Sequence, residues 1–174
     1  MEPLEEGCYY HIYNRGNNRQ KIFFEGANYK HFLKLIKQHL LPVVELYCYC
    51  LLRNHFHLLV KVKNGAIYPS PKFSNLFNAY TKAINKKYDR TGSLFQRPFR
   101  RKRISDENYL RNSVIYIHLN PEAHKFHKNF QNYPFSSYSQ FFDGRYSILK
   151  REEVIEWFGD LENFRLVHLK RNNN

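Results

Sequence analysis

The triplet His55-Phe56-His57 sits inside an alternating apolar run that reads as a β-strand. Successive side chains on a strand point to opposite faces, so the two imidazoles share one face while Phe56, Leu58 and Val60 turn to the other. Two ring nitrogens on one face can share a single metal ion. On a strand such a pair is more often satisfied by its neighbours than bound to metal. A second pairing lies in a segment of helical periodicity, where Tyr116 and Asn120 are four residues apart and about 40° around the axis. A phenol hydroxyl and an amide therefore project together. Tyr109 and Ser113 extend that face, and His118 is turned roughly 200° from Tyr116. A tyrosine hydroxyl can store the energy of a broken ester in a covalent adduct, which splits cleavage from rejoining. Taken alone, Tyr116 reads as one of 14 tyrosines with its ring packed in the core and its hydroxyl hydrogen-bonded.

These groups need a scaffold, and the periodicities outline one. Residues 8–13 read as a short aromatic strand, followed by the turn formers of NRGNNR. From 28 to 41, Tyr29, Phe32, Leu33, Ile36 and Leu40 follow helical spacing, and Pro42 closes the segment. The β-branched and aromatic stretch 43–52, with Leu46, Cys48 and Cys50 on one face, pairs as a hairpin with 56–62. After a loop at 65–71, Ser74 caps a helix with a stripe of Leu76, Phe77, Tyr80 and Ile84 that also carries Lys82, Lys86 and Lys87. The segment 97–103, interrupted by Pro98, reads as an edge strand. Ser105 or Asp106 caps a third helix with a stripe of Leu110, Val114 and Ile117, ending before Pro121. A small helix fits 151–158, and the polar tail 171–174 is expected to fray. The order β-α-β-β-α-β-α predicts an α+β class of the ferredoxin-like or RRM-like kind, an antiparallel sheet with helices on one face, plus a loop-rich C-terminal extension. The predicted organisation is one domain over 1–142, with 143–174 packed on it rather than folding independently.

Composition narrows the partner. At 174 residues, 43% hydrophobic and 25% charged, the chain is a folded domain rather than a disordered tail or coiled coil. Lys plus Arg number 28 against 15 Asp plus Glu, a net +13, and 17% of residues are aromatic. Basic charge supplies the counterion-release part of nucleic-acid binding and exposed rings stack on unpaired bases, which points to single-stranded or hairpin nucleic acid. The phosphate-contact candidates are Arg15 and Arg19 in NRGNNR, and Arg97, Arg100, Arg101, Lys102 and Arg103 in RPFRRKR, any of which could instead be solvated surface. Three cysteines, Cys8, Cys48 and Cys50, are too few and too close for a disulfide framework or a zinc site, and read as reduced and structural. The acidic, then aromatic, start has no signal-peptide pattern and no apolar run approaches the ~18 residues of a membrane span, so no membrane contact and a cytoplasmic location are expected.

Several ordered blocks carry a resemblance: YHIYNRGNNRQKIFF near the start, NHFHLLV at 54–60, GSLFQRPF at 92–99, YIHLNP at 116–121 and YPFSSY at 133–138. Together they resemble the single-tyrosine HUH transposases, nearest to the tyrosine transposases associated with repetitive extragenic palindromes. The likeness covers roughly residues 7–142. It implies that His55 and His57 hold a divalent metal, that Tyr116 is the nucleophile, and that Asn120 completes the metal site. Leu52-Arg53 departs from the Met-Pro often found before the histidines, and Phe95 and Phe135 stand where Trp is common; no catalytic group is lost.

The implied activity is that of a sequence-specific single-strand DNA endonuclease and strand transferase, working at hairpins through a covalent 5′-phosphotyrosine. Mg²⁺ or Mn²⁺ held by two imidazoles and an amide would polarise the scissile phosphate, with coordination positions left open for substrate. The competing readings are a related HUH nickase for replication or plasmid transfer, and a catalytically inactive ferredoxin-like nucleic-acid-binding protein. A monomer is expected over a homodimer.

Overall fold

In the computed structural model, which describes residues 3–172, the chain runs β1 (Tyr9–Arg15), α1 (Gly26–His39), β2 (Val44–Leu52), β3 (His55–Val62), α2 (Pro69–Lys87), β4 (Arg100–Ile104), α3 (Glu107–Ala123), α4 (Arg151–Phe158) and α5 (Leu161–Asn172). The strands form one sheet in the order β2-β3-β1-β4, every neighbouring pair antiparallel. This is the expected α+β plan. Strand β1 sits between β3 and β4 and is the hub of the sheet.

One face of the sheet carries Tyr10, Ile12, Phe56, Leu58 and Val60, all fully buried. Helices α1 and α2 cover it, with the rings of Phe32 and Phe77 at 5.1 and 5.6 Å from that of Phe56. The expectation that the helices share one face holds for these two only. Helix α3 lies across the opposite face, where Tyr116 stands 5.6 Å from the ring of His57. Sequence periodicity gives α1, α2 and α3 each an apolar stripe but not the side of the sheet it meets.

Four further expectations are corrected. A register shift between Leu46 and Cys48 places Leu46 opposite Val60 but Cys48 and Cys50 opposite Leu59 and His57, so the three do not share a face. Helix α2 starts at Pro69, ahead of Ser74, because a proline in the first turn gives up only an amide that would have no helical partner. Helix α3 does not stop before Pro121. The proline removes one internal hydrogen bond, yet the helix continues to Ala123 and closes with the His124 N–H on the Asn120 carbonyl at 3.0 Å. Lastly, Arg171 and Asn172 belong to α5 rather than to a frayed tail; the remainder of the predicted tail lies outside the described residues.

Helix α5 escapes a periodicity reading because only Phe164 and His168, one turn apart, are buried. What holds it is a directional chain of hydrogen bonds. His168 Nδ1 reaches the Phe164 carbonyl at 2.7 Å, an acceptor, so that nitrogen carries the proton and Nε2 is left to accept. His118 Nδ1 then donates to it at 3.0 Å, and His118 Nε2 accepts from Ser137 Oγ at 2.9 Å. The chain ends where the Tyr49 N–H donates to Ser137 Oγ at 2.8 Å, joining α5 and α3 to β2.

Burial lowers the proton affinity of both rings, that of His168 to about 4 despite its carbonyl partner, and that of His118 well below its usual range. In the unfolded chain these imidazoles titrate near ~6.5. Between the two values the unfolded state takes up protons that the folded state refuses, so the stability from this pair is complete above about pH 6.5 and is lost as pH falls towards 4. The urea midpoint should therefore drop between about pH 7.5 and pH 4.5; a flat profile would contradict neutral burial of the pair.

Candidate active site

The β2–β3 hairpin turn and the NRGNNR turn are laced together just before the histidines. The Gly16 N–H donates to the Asn54 carbonyl at 2.9 Å, and the Ile22 N–H reaches the Arg53 carbonyl at 2.8 Å. Position 16 has no room for a side chain, since a Cβ there would stand 2.2 Å from the Gln20 carbonyl oxygen. With its backbone so fixed, Asn54 presents Oδ1 to His55 Nδ1 at 2.7 Å. An amide oxygen only accepts, so His55 carries its proton on Nδ1 and Nε2 is a bare lone pair.

His57, one strand repeat further, points the same way and is buried. Its Nδ1 lies 2.8 Å from Nε2 of His11 on β1, while its own Nε2 is buried with no hydrogen-bond partner among the described residues. Asn120 behaves alike. Its Nδ2 donates to the Tyr116 carbonyl one turn back at 2.7 Å, which holds the amide with Oδ1 buried and unpartnered. Burial, then His124 and Arg15 nearby, lowers His55 to about 4, although the Asn120 amide beside it pulls the other way. Burial, with His11, His55 and His124 around it, holds His57 well below its ordinary value. Both rings are neutral at pH 7.

Buried polar atoms without partners are rare and costly. Here two of them, with the bare nitrogen of His55, make a donor set of two imidazoles and an amide oxygen, which fits a divalent cation. His55, His57 and Asn120 are thus brought together as the sequence suggested. Tyr116 stands over them half exposed at 50%, its ring 5.6 Å from that of His57 and 5.9 Å from that of His11. It borders a cleft of about 530 Å³ shared with Tyr13, Arg15, His55, His57 and Arg100. A second hollow of about 500 Å³, with Lys102, Tyr109 and Ser113, lies on its other side.

The basic candidates separate. On β4, Arg100 and Lys102 stand opposite Tyr13 and His11 and share the histidine face, whereas Arg101 and Arg103 stand opposite Ile12 and Tyr10 and face the other way. Arg101 donates to Ser70 Oγ at 2.8 Å and covers the Phe99 ring, and Arg103 pairs with Glu5 at 2.7 Å. Arg15 flanks His55 in the cleft. Arg97 lines a separate groove beside α2, which meets the cleft at Asn14 and Gln96, and Arg19 is exposed in the turn. Sequence reasoning missed His11 and His124. The alternation of β1 puts His11, Tyr13 and Arg15 on one face, a signal that becomes informative once β1 is known to pair with β3. His124 was hidden by ending α3 too early.

Residues 5–120, a span that includes both histidines, Tyr116 and Asn120, match the family model described as IS200-like transposase. The chain belongs to the IS200-like transposase family. As a member it is a transposase, an enzyme that acts on DNA. Among solved structures it is similar to a REP-associated tyrosine transposase bound to a REP hairpin, with 20% identity, a TM-score of 0.67, and coverage of 85% of this chain and 87% of that one. A bacterial tRNA(His) guanylyltransferase-like protein in complex with GTP overlaps at 13% identity and a TM-score of 0.48, over 76% of this chain and 73% of that one. No curated protein matches by sequence. Among the described residues no helix is long and apolar enough to cross a membrane. Helices α4 and α5 lie beyond the part matched to the family.

The crowding at Gly16 gives a direct check on the lacing of the two turns. Gly16→Ala should destabilise the fold by about 1–3 kcal/mol through overpacking against the Gln20 carbonyl, read as a lower urea midpoint. An unchanged midpoint would mean that the turn is free to shift.

Proposed function

We propose that this transposase is a single-strand DNA endonuclease and strand transferase that acts at DNA hairpins, with Tyr116 as nucleophile and with Mg²⁺ or Mn²⁺ held by His55, His57 and Asn120. The observation that carries this reading is the pair of buried, unpartnered atoms, His57 Nε2 and Asn120 Oδ1, beneath a half-exposed tyrosine. A cation bound there supplies Lewis-acid polarisation of the scissile phosphate and offsets its developing charge.

The rest is work for the chain's own groups. Tyr116 Oη attacks phosphorus as the bond from phosphorus to the 3′ oxygen breaks, leaving the 5′-phosphate esterified to the ring. The phenolic proton passes to solvent on the open side of the ring, and the departing oxygen takes a proton from water to become a 3′-hydroxyl. Rejoining runs the same bonds in reverse with a new 3′-hydroxyl, which is strand transfer. Arg15 and Arg100 border the cleft and Lys102 the hollow beyond Tyr116, so a phosphate chain crossing the tyrosine meets cationic groups on both sides. Arg19, Arg97, Arg101 and Arg103 bind the strand further out or serve the fold. Hairpin DNA is favoured by the similar transposase, whose structure holds a REP hairpin. We take the chain to act as a monomer: Ser136 and Leu149 bridge to β2 and occupy part of its outer edge. We place this activity in the cytoplasm, where the DNA substrate is.

Tyr116→Phe removes one oxygen and keeps the ring, so hairpin binding should persist while the covalent adduct, seen on denaturing gels with labelled single-stranded hairpin DNA, disappears. Peptide mapping should place the wild-type adduct on Tyr116. Mapping to Tyr109 would overturn the assignment, and binding with no adduct in Mg²⁺ or Mn²⁺ would favour an inactive binding protein.

The split of the basic residues gives a second test. Replacing Arg100 and Lys102 by Ala should flatten the slope of log affinity against log salt for a single strand by about 1.4, at roughly 0.7 per phosphate contact. The same change at Arg101 and Arg103 should flatten it less, because those side chains are engaged by Ser70, Phe99 and Glu5. Equal slopes for the two double variants would reject the division.

A further inference from the structure

We infer that His11 is a positioning residue for the reaction: its Nε2 accepts the proton of His57 Nδ1 and so fixes the tautomer in which His57 Nε2 is a bare lone pair available to the cation. The inference rests on the metal reading proposed above. It concerns a residue that touches neither the cation nor DNA in that reading.

The geometry is that of a diagonal pair across the β1–β3 ladder. In register, His57 faces Tyr13 and His11 faces Leu59, so the two histidines stand one strand repeat apart on the same face, within reach of each other. Their rings lie 5.0 Å apart at 30°, with 2.8 Å between His11 Nε2 and His57 Nδ1. At that separation one proton sits between the two nitrogens, and the tautomers of both rings are decided together.

Two arrangements are available. If His11 donates, His57 must carry its remaining proton on Nε2, which is buried and has no acceptor among the described residues. That leaves a buried N–H unsatisfied, a rarer defect than a bare acceptor, and a protonated nitrogen cannot ligate a metal. If His57 donates, its Nε2 is a lone pair that a cation satisfies. The second arrangement requires a neutral His11, since an imidazolium has no lone pair with which to accept. His11 is buried on β1, with Lys102 opposite it in register.

The two candidate ligands are therefore held by different acceptors. The hairpin turn supplies the Asn54 amide for His55, and β1 supplies an uncharged imidazole for His57. Ligating histidines usually donate their second N–H to a carboxylate, a carbonyl or water. An imidazole in that place adds no negative charge, so the full charge of the cation is left for the phosphate.

The test compares His11→Leu, which cannot accept a proton, with His11→Gln, whose Oε1 can. Mn²⁺ binding to the full chain without DNA is followed by the electron paramagnetic resonance of free Mn²⁺. The ring nitrogens of His57 are followed by ¹⁵N chemical shifts in the metal-free chain. His11→Leu should weaken Mn²⁺ binding by about 10–100-fold, as loss of an outer-sphere partner does. His11→Gln should restore most of it, which a packing role alone does not predict. His57 should appear as the Nδ1–H tautomer in the wild type and in His11→Gln. Equal Mn²⁺ affinity for His11→Leu and the wild type would overturn the inference and leave the metal reading standing. A wild type that binds no Mn²⁺ would overturn both. If His11→Leu does not fold, the wild-type spectrum decides, because an Nε2–H tautomer of His57 rejects the role of His11 by itself.

Discussion

Along β3 the side chains alternate between an aromatic core and a pair of imidazoles, and the antiparallel register with β1 determines what each of them meets. Phe56, Leu58 and Val60 are driven to one side by apolar burial, where α1 and α2 close over them. The period of two then obliges His55 and His57 to face the other side, whatever that costs in desolvation. The cost is visible in both rings, whose proton affinities are lowered mainly by burial. A slip of one residue between β1 and β3 would exchange core and site, so the stability of the core enforces the position of the histidines.

Among the described residues two buried histidine pairs have nearly the same nitrogen-to-nitrogen contact, and they differ in how far their hydrogen bonds are satisfied. His118 and His168 are 3.0 Å apart, and their chain of donors and acceptors is closed at one end by the Phe164 carbonyl and at the other by Ser137. Neither ring has a nitrogen left over. His11 and His57 are 2.8 Å apart, yet the far nitrogen of His57 has no partner among the described residues. A folded chain pays the full desolvation cost of such an atom, and here it lies with a second one, Asn120 Oδ1, close to Tyr116.

The region beyond the family match is bound into the same framework. Ser136 and Leu149 bridge to β2, and α5 is tied through His168 and His118 to α3, the helix that carries Tyr116 and Asn120. Asn120 is itself held within α3: its amide donates to the Tyr116 carbonyl, and its own carbonyl takes the His124 N–H that closes the helix. Tyr116 and Asn120 are thus parts of one helical turn, with their relative placement set by hydrogen bonds to the backbone rather than by loop packing.

Local periodicity was enough to place His55 and His57 on one strand face and Tyr116 with Asn120 on one helix face, because those relations depend only on the repeat of a single element. The α+β order and the ordered motifs of the family were legible for the same reason: each lies in a continuous stretch of chain. The sequence did not disclose that α3 crosses the sheet opposite α1 and α2, that a bulge separates Leu46 from Cys48, that β4 sends Arg100 and Lys102 one way and Arg101 and Arg103 the other, or that His11 meets His57. The helix α5 was also unseen, since two buried residues make no stripe. Each of these depends on register or packing between elements distant in the chain. There the deciding free energy is that of burying one surface against another and satisfying the polar atoms trapped between them, a quantity that no single segment carries.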